Sequence, residues 1–151
     1  DFEQFGTVTA SLGAESIKIG PSADGAAVYE FGVESQPLVA MLTFEIAAAR
    51  IDSPPEIAVN GHALGAAALL LPALADPGYR GEMRRMLHEM HFEYTGWLRA
   101  QILVPAQLLH SGTNEIAVLN GRNADNSVIR STQIQLKYLW DKSDYILKPD
   151  R

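Results

Sequence analysis

The sequence predicts an all-β domain, a sandwich or barrel of short antiparallel strands. Three observations carry that expectation. Gly, Pro, Asn and Ser recur at short intervals along the 151 residues, and the runs between them are rich in β-branched and aromatic residues. Several of those runs alternate with a period of two. The stretch "EIAVNGHALG" sets Asn60-Gly61 between apolar runs. That dipeptide is the strongest short hairpin signal, because both turn positions need a positive φ.

Taken in order, "TVTA" and "ESIKIG" read as short strands. "AAVYEFGV" puts Tyr29, Phe31 and Val33 on one side and Val28 on the other, as in a half-buried strand. In "PLVAMLTFEIAAARI", Leu38, Ala40, Leu42, Phe44 and Ile46 alternate with Val39, Met41 and Thr43. Both sets are largely apolar, which predicts a central strand covered on both faces. The alanines between Ile46 and Arg50 leave a helix open there. Pro54 and Pro55 mark the entry to the next strand, since proline cannot sit in a central ladder.

Residues 66–90 read two ways. Met83, Met86, Leu87 and Met90 follow an i, i+3, i+4, i+7 pattern, so "GEMRRMLHEM" fits a short amphipathic helix. The same stretch also fits a long excursion between strands. From Phe92 the pattern is extended again. Leu98, Ala100, Ile102 and Val104 point one way, and Trp97, Arg99, Gln101 and Leu103 the other. In "VPAQLLHSGTNEIAV", Pro105 lacks the amide to continue the ladder. One turn then drops Leu108 and Leu109 onto the core, Gly112 and Asn114 turn the chain, and "EIAVLN" returns as a strand. "GRNADNS" is a polar loop. The last strand, "VIRSTQIQLKYLW", turns Ile134, Leu136 and Tyr138 inward and Gln133, Gln135 and Lys137 outward. The apolar Trp140, Tyr145, Ile146 and Leu147 in a C-terminal extension, residues 140–151, are expected to fold back over the sandwich edge or to dock on a partner.

Composition narrows the function. Hydrophobic residues make up 47% and the length suits one domain, here residues 1–151. A net charge of -6 argues against nucleic acid or an anionic membrane as partner. With no cysteine there is no disulfide, thiolate metal site or Cys nucleophile. The longest apolar stretch, Ala63 to Ala75, is interrupted by Pro72 and is shorter than the roughly 20 residues of a membrane span. The chain starts at Asp1, which is consistent with removal of a leader.

Chemistry-bearing motifs are sparse. His88 and His91 stand three apart, whereas the zinc-protease motif needs one more residue between them and a glutamate beside the first. No Gly-x-Ser-x-Gly elbow occurs, and Ser111 reads as a turn residue. Glu82, Glu89 and Glu93 are near in sequence, but nothing makes them converge across a cleft as glycoside hydrolysis requires. No phosphate loop is present.

"IAVNG" with Gly65 following, then "YTGW", then "ILVPAQLLHSGTNEIAVLN" and a late alternating strand resemble the galactose-binding-domain-like β-sandwich, over roughly Leu38 to Tyr138. The resemblance implies a jelly-roll β-sandwich of two antiparallel sheets, about eight strands in all, with one or two short helices. It also implies a non-catalytic accessory module, commonly for carbohydrate, in a secreted, periplasmic or cell-surface protein. Members often hold a structural calcium, for which Asp24 and the C-terminal acids are candidate donors, although no ligand set is assigned. An acidic residue that members often carry before the leucine turn is replaced here by "RAQILV".

Sugars present flat apolar C–H faces to aromatic rings, and Arg bonds their hydroxyls with a two-pronged fork. "DPGYRG" places Tyr79 and Arg80 in an open turn, Trp97 and Arg99 share a strand face, and His62 follows the Asn-Gly turn. These five residues are the expected ligand site, and Tyr94 is expected to pack. No other cofactor is expected. The alternative function is a structural or protein-interaction domain assembling through its apolar tail and the segment Met83 to Met90. A small polysaccharide-active hydrolase or lyase fits least. The oligomeric state and the identity of the sugar are left open.

Overall fold

Two antiparallel sheets form a jelly-roll β-sandwich in the computed structural model, which describes residues 3–84, 89–122 and 126–141. The larger sheet holds β1 (Glu3–Gly13), β2 (Ile17–Ile19), β4 (Val39–Arg50), β7 (Ala68–Leu70), β8 (Tyr79–Arg84), β9 (Glu89–Pro105) and β11 (Ser127–Asp141). Its order is β1–β11–β4–β9–β7, with β2 also pairing with β11 and β8 with β9. The smaller sheet runs β3 (Ala27–Val33), β10 (Gly112–Leu119), β5 (Glu56–Val59), β6 (His62–Ala66). The chain changes sheets between β2 and β3, β3 and β4, β4 and β5, β6 and β7, β9 and β10, and β10 and β11. Strand neighbours are therefore mostly distant in sequence. The helical elements among the described residues are two 3-10 turns, Ala23–Gly25 and Ala106–Leu108.

The core lies between the sheets. Ala40, Leu42, Phe44 and Ile46 of β4 meet Ile57 and Val59 of β5 and Ile116 and Val118 of β10, with Leu98, Ala100 and Val104 of β9 and Ile134 and Leu136 of β11 beside them. All are buried, which is the main favourable term in the fold. The inward and outward sets on β9 and β11 fall where the alternation puts them.

Two expectations need correction. The segment from Ile46 to Arg50 is strand and not helix. Ala48 takes φ +58° at a register shift, after which Ala49 is the inward residue. The surplus residue of this shift is on β9, and Ala48 is held by the neighbouring strand, because Ser127 Oγ donates to the Ala48 carbonyl at 3.0 Å and accepts from Asn120 Nδ2 at 2.8 Å. In addition, β4 is central but covered on one face only. Its outward Val39, Met41 and Glu45 are half-buried, and no second layer of described residues lies over that side. A bulge on β11, at Ser131 (φ +53°), lets Ser127 and Ile129 face inward before it and Thr132, Ile134 and Leu136 after it.

The stretch after β9 is a locked corner. Pro105 ends the strand, the turn Ala106–Leu108 follows, and Leu109 is buried at 4% exposure. Asn60 (φ +49°) and Gly61 (φ +82°) form the tight turn between β5 and β6. The Asn60 side chain donates to the Leu108 carbonyl at 2.8 Å and to Asn114 Oδ1 at 2.9 Å. Its Oδ1 accepts from the Glu115 amide at 2.8 Å. Asn114 Oδ1 also accepts from the His110 amide, and its Nδ2 donates to the carbonyls of His110 and Gly112. Asn114 thus lies inside β10 as the tie between the leucine turn and the hairpin.

Of the stretch 66–90, residues 68–70, 79–84 and 89–90 are strand. Glu82 pairs with His91, Met83 with Met90 and Arg84 with Glu89. The seven-residue spacing that a helix puts on one face is here the spacing across a β8–β9 hairpin. Residues 85–88, and with them His88, lie outside the described residues, as does the tail from residue 142.

Candidate functional site

The outward face of the larger sheet is built in rows, because residues paired across strands share a face. One row is Arg130 on β11, Glu45 on β4, Arg99 on β9 and Leu70 on β7. The next is Gln133, Thr43, Gln101 and Ala68. On the other side of the first row Val128, Ala47 and Trp97 line up. Thr43, Glu45, Trp97, Arg99, Ser131 and Gln133 border an open depression of about 420 Å³.

Its parts are held in different ways. The Arg130 guanidinium lies 3.7 Å from the centre of the Trp97 ring, a cation–π stack. Arg130 Nε also donates to Glu45 Oε1 at 3.0 Å. Trp97 is half-buried and fixed by its neighbour, which limits the entropy lost when a ligand binds. Arg99 stands directly opposite Glu45 yet makes no hydrogen bond or ion pair among the described residues, and it is exposed. Thr43 is only 5% exposed, and its hydroxyl has no hydrogen-bond partner there. A buried hydroxyl without a partner costs of order 1–3 kcal/mol, so its place on a depression wall asks for an explanation.

Of the five residues expected from sequence, Trp97 and Arg99 come together here. Tyr79 pairs with Tyr94 on the inward side, beside the buried Ala49. Their rings meet edge to face with centroids 5.1 Å apart, and Tyr79 donates its hydroxyl hydrogen to the Pro72 carbonyl at 2.6 Å. Tyr94 packs against the core, as expected. Its phenol is held above the ordinary pKa of 10.0 by burial and by a hydrogen bond to Asp76. Asp76 also accepts from the Gly78 amide at 2.8 Å, which shapes the "DPGY" turn. Arg80 is exposed on the outward side, opposite Glu93, which in turn faces Arg50 on β4. His62 belongs to the smaller sheet and does not border the depression.

The residues that sequence reasoning missed are Thr43, Glu45, Arg130 and Gln133. The only signal for them was outward alternation on β4 and β11. A second hollow of about 280 Å³, beside the smaller sheet, is lined by Pro21, Glu56, Ala58, Leu119 and Arg122 among others, and no ring offers a stacking surface there. Among the described residues no three His, Asp or Glu side chains gather as a metal would require. Nor is any helix among them long and apolar enough to cross a membrane.

No protein-family model and no curated protein matches the sequence. Solved structures do match. A β-porphyranase of glycoside hydrolase family 86 from the human gut bacterium Bacteroides plebeius is 17% identical, with a TM-score of 0.53 over 89% of this chain and 21% of that one. BuGH86, solved in complex with neoagarooctaose, is 15% identical, with a TM-score of 0.57 over 92% of this chain and 20% of its own. The xylan-binding module CBM15 aligns more loosely, at 10% identity and a TM-score of 0.45 over 87% and 97% of the two chains. The chain thus spans about a fifth of the two larger proteins, and at these identities what it shares with them is the β-sandwich fold.

Proposed function

We propose that this sandwich is a non-catalytic carbohydrate-binding module, an accessory domain of a secreted or surface protein, with its ligand on the outward face of the larger sheet. The observation that carries the reading is the depression itself. A half-exposed indole stands on adjacent strands with a guanidinium and a buried hydroxyl that have no partner among the described residues. A pyranose ring offers an apolar face to the exposed part of Trp97 and hydroxyls to Arg99 and Gln133. Few and well-placed polar groups on a rigid sheet are what a small-ligand site requires. The likeness to one portion of much longer chains supports an accessory role, and the resemblance to galactose-binding-like sandwiches points the same way.

A glycan-array screen of the purified chain, with and without calcium, tests the reading. One glycan class should bind, and Trp97→Ala should weaken it by at least about tenfold, or ~1.4 kcal/mol. The melting temperature should change little. Calcium dependence would bring a metal into the site. Absence of binding to any glycan, or unfolding by Trp97→Ala, would remove the proposal.

A second reading has one observation of its own. Phe5 and Leu139 are 58% and 43% exposed, directly opposite each other on the β1–β11 pair. They fit an assembly surface. Light scattering that shows a dimer, lost in Phe5→Ser, would favour that reading.

A further inference from the structure

We infer that the depression selects an anionic glycan, one bearing carboxylate or sulfate groups, with Arg99 as the anchor. The inference rests on the carbohydrate reading and names its substrate class.

The charge pattern repeats on the outward face. In one row Glu45 lies between Arg130 and Arg99, and in another Glu93 lies between Arg50 and Arg80. Each row holds two cations and one anion. In the first row the anion is already engaged, since Glu45 binds Arg130. In the second, Arg50 is engaged by Asp52 at 2.7 Å. Arg99 is left facing solvent beside Trp97 and the unpartnered Thr43 hydroxyl. An arginine with an unspent planar fork binds carboxylate or sulfate oxygens in pairs, which neutral hydroxyls do not match. The chain as a whole is acidic, with net charge -6, whereas these two rows, with Asp52 included, carry four cations and three anions. Arg99 and Arg80 both project outward along β9 and β8. At about 3.3 Å per residue their separation along the strand is roughly 20 Å, enough for one extended oligosaccharide to touch both.

The test is calorimetric titration with matched pairs of oligosaccharides. One pair is an oligogalacturonate and its carboxyl-reduced neutral form. The other is a sulfated galactan oligosaccharide and its desulfated form. The charged member of one pair should bind at least about tenfold more tightly than its neutral form. The pair that shows the preference identifies carboxylate or sulfate as the recognised group. Arg99→Gln should reduce the preference below about threefold, Arg99→Lys should retain part of it, and Arg80→Gln should have a smaller effect on long oligosaccharides only. Arg122→Gln, which removes the same charge beside the smaller sheet, should leave the preference intact. Equal binding of charged and neutral members overturns this inference while the carbohydrate reading stands. Failure of every member to bind overturns both. Equal affinity for dextran sulfate and DNA, insensitive to Arg99→Gln, shows general attraction of polyanions and also overturns it.

Discussion

Two buried polar side chains, one in each sheet, behave in opposite ways. Asn114 on β10 is fully buried, and its amide oxygen and nitrogen are all engaged, with Asn60 and with the backbone of the leucine turn. Thr43 on β4 is nearly as buried, and its hydroxyl has no partner among the described residues. A satisfied network fixes one geometry and contributes to stability. An orphaned hydroxyl does neither. It lies beside the depression that Trp97 and Arg99 border. The contrast separates a side chain that ties the fold together from one that borders the proposed site without doing so.

Substitutions can break or sharpen that contrast. The largest effect is expected at Asn114. Asn114→Ala leaves the His110 amide and the Asn60 side chain short of an acceptor, and should cost about 3 kcal/mol. In a thermal melt this is a fall of about 10 °C. A fall of one or two degrees would mean that the corner is not held by this tie. Gly61→Ala should cost about 1 kcal/mol, because Gly61 sits at φ +82°. Thr43→Val should change stability by less than about 1 kcal/mol, in either direction. A large loss of stability there would make Thr43 another Asn114 and end the contrast.

The smallest effect concerns alkaline pH. The folded-state pKa of Tyr94 lies above its unfolded value of 10.0. The neutral phenol is therefore favoured by folding. Its contribution is fully present below pH 10 and is lost as pH rises through and beyond that value. Melting temperatures followed to about pH 12 should fall less steeply in Tyr94→Phe than in the parent chain. Identical slopes would show that burial and Asp76 do not act on this phenol.

The fold was legible because its signals are local. Asn60-Gly61 specifies a turn, Pro105 stops a strand, and alternation on β9 and β11 assigns faces, all within a few residues. The site was half legible for the same reason. Trp97 and Arg99 lie two apart on one strand, so their shared face could be read directly. Thr43, Glu45 and Arg130 join them only because β4 lies between β9 and β11, a neighbourhood set by chain crossings that no short window contains. Tyr79 was placed in an open turn because glycines flank it, but β8 begins at Tyr79 and pairs it with Tyr94. The register shift at Ala48 and the bulge at Ser131 carry positive φ on non-glycine residues, so nothing in the sequence announced them.

The bulge on β11 has a consequence for how such a surface changes over generations. Arg130 and Gln133 are three apart but pair with Glu45 and Thr43, which are two apart, so β11 carries one surplus residue there. Removing Ser131 would return the strand to a regular pleat with Arg130 and Gln133 still outward and Thr132 still inward. A one-residue deletion, ruinous in most central strands, would here flatten the border of the depression and leave the core sequence unshifted. The depth of the depression can thus evolve by insertion and deletion inside a strand, independently of the residues that keep the sandwich folded.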